Sequence, residues 1–232
     1  MKKKSLLALL LIMLLALGLA ACGGSSEEPA EEPAEETTEE AAEEPAEEAA
    51  APEDIVVDAE NKTVTITAQV NGTFFDQSTM HCVVFKDGGA ADIAMMAAYC
   101  DSQDFYNAMV EIGGEPWSTG EEHLEDGDFT DGQKVDVSFT WDGQSEPVEL
   151  VDAVKTDSDD GVKIDMRFSG NQKGNQEAGS GCITCLNSCW AGIVSNAAYG
   201  FGAIDAGNPK VFLNDAVMPE DGTDVHVTYT LK

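Results

Sequence analysis

From Glu27 to Glu48, pairs of glutamates recur every four residues, and this tract limits what the rest of the chain can fold into. Glutamates at i and i+4 stack like charges on one helical face. Pro29, Pro33 and Pro45 interrupt a helix further. Residues 27–54 hold fourteen acids and no base, with few side chains to bury. Such a stretch cannot offset its own chain entropy, so 22–54 is expected to be a disordered acidic spacer. Thirty residues of coil span roughly 30 Å, enough to lift a domain off a surface. The foldable part is confined to 55–232. That length suits one domain with a sizeable core, or two subdomains at about 55–118 and 133–232. It carries thirty acids against nine Lys or Arg, a surplus of 21 negative charges. Binding to nucleic acid needs Lys and Arg at the phosphates, so that partner class is excluded.

Ahead of the spacer stand Lys2, Lys3 and Lys4, then an apolar run from Leu6 to Leu19. The run is shorter than the roughly 20 residues that cross a bilayer comfortably. A basic start, a short apolar stretch and small residues before a cut site describe an export signal. The junction Leu19-Ala20-Ala21-Cys22-Gly23-Gly24 resembles the lipobox of bacterial lipoproteins. That resemblance implies removal of a signal peptide at 1–21 and a diacylglycerol on the Cys22 sulfur. The chain would then be lipid-anchored on the extracytoplasmic face of the cell membrane, its membrane partner. The basic start holds no Arg pair, which favours export of the unfolded chain.

Within 55–232, Ile55 to Val57 and Thr63 to Val70 read as strands, and Asn71-Gly72 as a turn. His81 to Phe85 reads as a buried strand closed by Asp87-Gly88-Gly89. Ile93 to Cys100 suits either a helix or a hairpin return. Residues 102–112 predict a helix capped by Asp101 or Ser102, with Phe105, Met109 and Ile112 on one face and Gly113 as its stop. Later, Val135 to Trp141, Val148 to Val154, Val162 to Phe168 and Val225 to Leu231 alternate or run apolar like strands. The expected class is α+β, mainly antiparallel sheet with one clear amphipathic helix.

Apart from Cys22 the chain has five cysteines: Cys82, Cys100, Cys182, Cys185 and Cys189. The last three follow a Cys-x2-Cys-x3-Cys spacing. Thiolates are soft ligands, and three within eight residues can converge on one ion or cluster. On a helix they would fall within about 60° of one face. In a loop, Gly179 and Gly181 would let backbone amides approach the sulfurs. Leu186 stands where a c-type haem site needs His, which excludes that group. The readings left open are an iron–sulfur cluster, a soft ion such as zinc or copper, and disulfides. Oxidised pairing is normal outside the cell, although five is an odd number. A cluster or ion would need a further ligand, for which Cys82, Cys100 and His81 are the candidates. Cys182 and Cys185 also have thiol-exchange spacing, but without the βαβ setting of such enzymes.

The run Ser180-Gly181-Cys182-Ile183-Thr184-Cys185-Leu186-Asn187-Ser188-Cys189, followed by Ala191-Gly192-Ile193-Val194-Ser195-Asn196-Ala197, resembles the C-terminal motif of YdjY-domain proteins. Asp104 to Met109 with Ile112-Gly113-Gly114-Glu115-Pro116, and Met166 to Asn171, fit the same family in the same order. The resemblance covers most of 63–232. It implies a shared fold and a ferredoxin-like iron–sulfur cluster, of 4Fe-4S type, held by Cys182, Cys185 and Cys189. Trp190 departs from the family pattern, which has Pro there.

The expected function is a tethered redox or metal-binding module that transfers electrons with a redox or protein partner, rather than an enzyme. The alternative is a binding or structural domain whose cysteines form disulfides. No catalytic residues are expected. The acidic stretch around Asp126, Asp128 and Asp131 misses calcium-loop spacing, and His123 and His226 have no nucleophile beside them in sequence.

Overall fold

The computed structural model describes residues 54–232 with the exception of 145. The signal segment 1–21, Cys22 and the spacer up to residue 53 lie outside the described residues. No helix among the described residues is long and apolar enough to cross a membrane.

β1 (Ile55–Asp58) turns back onto β2 (Thr63–Val70). The Asp58 carboxylate makes that reversal by accepting the N–H groups of Glu60 and Asn61 at 3.1 and 3.0 Å. Along β2, Val64, Ile66, Ala68 and Val70 point into the core at period two. β3 (His81–Phe85) and β4 (Ala94–Ala98) follow. They run parallel, because the eight residues between them are long enough to return the chain to the start of β3. α1 (Ser102–Glu111) is capped by Asp101, whose side chain accepts the Gln103 N–H at 2.7 Å. It buries Phe105, Ala108 and Met109, and Gly113 ends it at φ +97°. Phe105 packs on Tyr229 with ring centroids 4.6 Å apart.

The second half gives β5 (Gln133–Thr140), β6 (Val148–Glu149), α2 (Leu150–Ala153), β7 (Val154–Thr156) and β8 (Met166–Phe168). Then come α3 (Gln172–Ala178), β9 (Cys182–Cys185), β10 (Val194–Asn196), β11 (Val211–Leu213) and β12 (Asp224–Leu231). Eight strands are hydrogen-bonded in the order β2-β12-β5-β8-β10-β9-β3-β4, and β4 returns to β2 through Ala68↔Ala98, Gln69↔Ala97 and Val70↔Met96. The sheet therefore closes into a barrel. β1 and β6 extend it from β2 and β5, while β7 and β11 form a separate ribbon.

This corrects the α+β expectation. The α1 helix forms where its cap and apolar face place it, yet it is one of a few short helices packed on a closed barrel. Strand alternation identifies strands without saying whether the last one finds the first. The run 93–100, ambiguous in sequence, is the strand that closes the ring. Two pairings, β3 with β4 and β9 with β10, are parallel. Strands from 55–118 (β3, β4 and β2) and from 133–232 (β12, β5, β8, β10 and β9) form two adjoining arcs of this one ring. Tyr229, Phe105, Phe139 and Phe168 fill the main core with no exposure.

Candidate metal centre

The cysteine motif is neither a helix nor a glycine loop over its first half, as the sequence suggested, but strand β9 in the barrel wall. Residues three apart on a regular strand face opposite ways. Here the register against β3 shifts twice, His81 facing Cys185, Val83 facing Thr184 and Val84 facing Cys182. These bulges break the alternation. Ile183 turns into the main core, and the Thr184 hydroxyl meets the Tyr229 hydroxyl at 2.7 Å. Cys182 and Cys185 join a second, smaller buried cluster with Cys189, Val84, Ala90, Ala94 and Ala191. Their sulfurs stand 2.7 Å apart, longer than the roughly 2.05 Å of a disulfide bond. All five cysteines of the described residues are free and buried.

His81 lies directly across from Cys185, and Cys185 lies beside Ser195 of β10. The donor atoms of His81, Cys182 and Cys185 are all within 4.8 Å of one another. Cys189 follows on the turn after β9 and packs in the same small cluster, but its sulfur is not in the group of donor atoms that stand within 4.8 Å of one another. Among the further ligands considered, His81 is thus brought to the cluster. Cys82 and Cys100 are not: both are packed in the main core. Burial pushes each of those two thiols up to about 12.

The turn that carries Cys189 is fixed from α3. Asn171, at φ +37°, donates its side-chain amide to the carbonyls of Cys189 and Gly192 at 2.7 and 3.1 Å. Asn175 donates to the carbonyls of Cys182 and Ala191 at 2.8 and 2.7 Å. Backbone amides do approach a sulfur, but from Ala191 and Gly192 towards Cys189, the first at 3.4 Å. Gly179 and Gly181 serve instead in close packing against Gly89 and Gly88. Trp190, half-buried, stacks under His123 with centroids 3.8 Å apart, and His123 reaches Glu177 at 3.8 Å.

The donor set fits a soft metal ion. His81, Cys182 and Cys185 bring one imidazole and two thiols together, and Cys189, in the same buried cluster but outside that close group, would complete the four ligands of a closed site. Hydrogen bonding to Cys182 and burial hold the Cys185 thiol well above its ordinary value, and hydrogen bonding to Cys185 and burial do the same at Cys189. At Cys182 the hydrogen bond from Cys185 pulls downward, yet burial and the neighbouring sulfurs leave it raised. Burial lowers the His81 imidazole against the opposing charge of Asp205, keeping it neutral and able to donate a lone pair. Three buried side-chain polar atoms among the described residues lack a hydrogen-bond partner: His81 Nδ1, Asn187 Oδ1 and Ser195 Oγ. All three belong to the strands and turn that surround the sulfurs. Unpartnered polar atoms are costly in a core, and their concentration here marks a place shaped for something else. Asn171, Gly192 and Ser195 stand in the family-like stretches without a role assigned to them from sequence, and Asn175 is not singled out there at all. Asn171 at the N-terminal cap of α3 and Asn175 within it are four residues apart, and that one-face spacing was the available local signal for the pair.

Residues 55–230 match the family model of the YdjY domain. "Uncharacterized protein YdjY" of Escherichia coli (strain K12) is 39% identical over 176 residues, which cover 75% of this chain and 77% of that protein. No solved structure matches the chain. With the family model spanning nearly the whole barrel and a relative this similar beside it, the chain belongs to the YdjY domain family.

Proposed function

We propose that this chain is a lipid-tethered, extracytoplasmic module that holds a soft metal at Cys182, Cys185, Cys189 and His81 and passes single electrons to a protein partner. The observation that carries this reading is the convergence of free, buried thiols on an imidazole whose Nδ1 has no partner. The donor atoms of His81, Cys182 and Cys185, within 4.8 Å of one another, suit one ion with metal–sulfur bonds of about 2.3 Å, and Cys189 would reach it from the adjoining turn. A single iron or copper ion would supply one-electron chemistry at this position. Trp190 follows Cys189 directly and is partly exposed, which gives a short path from the sulfurs to solvent. The residues around Cys22 support the tether, and the acidic tract supports reach beyond the bilayer.

Elemental analysis, acid-labile sulfide and visible absorbance of the anaerobically purified full chain test the reading. One equivalent of iron or copper without sulfide, and a reversible spectral change in a redox titration, are expected. Iron with sulfide would replace the single ion by the cluster that the family resemblance implies. Zinc alone would keep the site and remove electron transfer. The 2.7 Å approach of Cys182 and Cys185 favours a second reading, a binding domain with that pair oxidised. A colourless, metal-free protein with a Cys182–Cys185 disulfide by mass spectrometry would establish it instead.

A further inference from the structure

The geometry points to Ser195 as the hydroxyl that donates a hydrogen bond to the Cys185 sulfur when that sulfur is metal-bound. This rests on the metal-site reading above and assigns a positioning residue that the donor set does not contain.

Ser195 is fully buried and its Oγ has no partner. A serine hydroxyl always has one proton to give, and burial without an acceptor costs free energy. Its neighbours show which acceptor is at hand. Val194 and Ile193 belong to the main core, whereas Ser195 sits beside Cys185 in the parallel pairing of β10 with β9. A Cβ on Gly192 would stand 2.6 Å from Ser195 Oγ and 3.2 Å from Cys185 Sγ, so both atoms border the small space above Gly192. A side chain there would separate them. His81, Cys185 and Ser195 form one row across β3, β9 and β10, with the thiol in the middle.

The Ser195 hydroxyl has no partner, and the neutral thiol next to it is only a weak acceptor. A metal-bound thiolate carries negative charge and accepts strongly. The hydroxyl proton then faces the charge it stabilises. Removing it leaves a more electron-rich sulfur and a more loosely positioned ligand, in the manner of other outer-shell partners.

The test is Ser195→Ala in the full chain, with cobalt(II) as the probe because its sulfur-to-metal charge-transfer band reports on the thiolate. The expected result is a band moved to lower energy and about 10-fold weaker cobalt binding. Ser195→Thr, which keeps the hydroxyl, should restore both. Melting temperature gives a separate readout. Without metal, Ser195→Ala should be as stable as the wild type or more so, since it deletes an unpaired polar atom. With cobalt it should gain less stability than the wild type does. A merely structural serine would lower both melting temperatures together and leave the band in place, and that result overturns the assignment. If Ser195→Ala does not fold, an exchangeable proton coupled to the metal in wild-type electron–nuclear double resonance supports the assignment, and its absence rejects it. Normal cobalt binding with an unmoved band rejects the role of Ser195 alone. A wild-type chain that takes up no cobalt rejects the metal site itself.

Discussion

The five cysteines of the barrel fall into two groups with equal burial and different company. Cys82 and Cys100 are set singly among apolar side chains of the main core, where a thiol behaves as a small hydrophobe. Cys182, Cys185 and Cys189 share one cluster, the first two stand beside an imidazole, and unpartnered polar atoms border the cluster. All five thiols are raised, so neither burial nor titration separates the groups. What separates them is convergence, produced by two register shifts on one short strand.

The widest separation between the groups should appear on removing one sulfur from each. Cys185→Ala is expected to abolish stoichiometric metal uptake, measured by elemental analysis after loading. Cys82→Ala should keep full uptake and cost only about 1 kcal/mol of stability in a denaturant titration, the loss of a small buried group. Equal uptake by both variants would erase the distinction. Next in size is Asn175→Ala. It removes a donor from two buried carbonyls, that of Ala191 and that of Cys182, which keeps the Ile193 N–H at 3.3 Å, and leaves the Ser102 hydroxyl without its acceptor. A loss of about 1–2 kcal/mol is expected, because the orphaned Ala191 carbonyl keeps its desolvation cost and the other two groups lose one bond each. Metal binding should weaken with it, since the same amide holds the turn between the ligands.

Individual elements could be read from the sequence, because β2, β5 and β12 alternate and α1 carries both a cap and a glycine stop. Closure could not. It depends on three pairs between β2 and β4, and Met95, Met96, Ala97 and Ala98 suit a helix as well as a strand. β9 was hidden for a different reason: a bulged strand loses the period-two signal on which strand reading depends. At the site, residue type alone singled out the three cysteines and offered His81 among the extra ligands. Ser195, Gly192 and the two asparagines are ordinary polar or small residues. Only tertiary contact makes them buried, and apart from the four-residue spacing of the asparagines nothing local distinguishes them from surface positions.

Gly192→Ala tests that last point at moderate cost. Its new methyl would press on Ser195 Oγ, and overpacking of this kind costs about 1–2 kcal/mol. Because Cys185 Sγ borders the same space, the variant should also bind metal more weakly than Cys82→Ala does. A Gly192→Ala protein with wild-type stability and uptake would show that the turn yields and that the close approach is incidental.

The smallest effect is the most informative about the wall between the two groups. Thr184 and Cys185 are adjacent on β9, yet the Thr184 hydroxyl meets Tyr229 in the main core while the Cys185 sulfur joins the cluster beyond it. Tyr229→Phe leaves the Thr184 hydroxyl buried without its partner and should cost about 1 kcal/mol. Adding Thr184→Val removes both polar groups together, so the double variant should recover much of that loss, a coupling that a double-mutant cycle measures directly. Metal content should stay at the wild-type level throughout, because neither change touches a ligand or the asparagine contacts. Loss of metal in Tyr229→Phe would mean that the main core sets the position of the sulfurs through the strand. In that case the two groups of cysteines would be mechanically one.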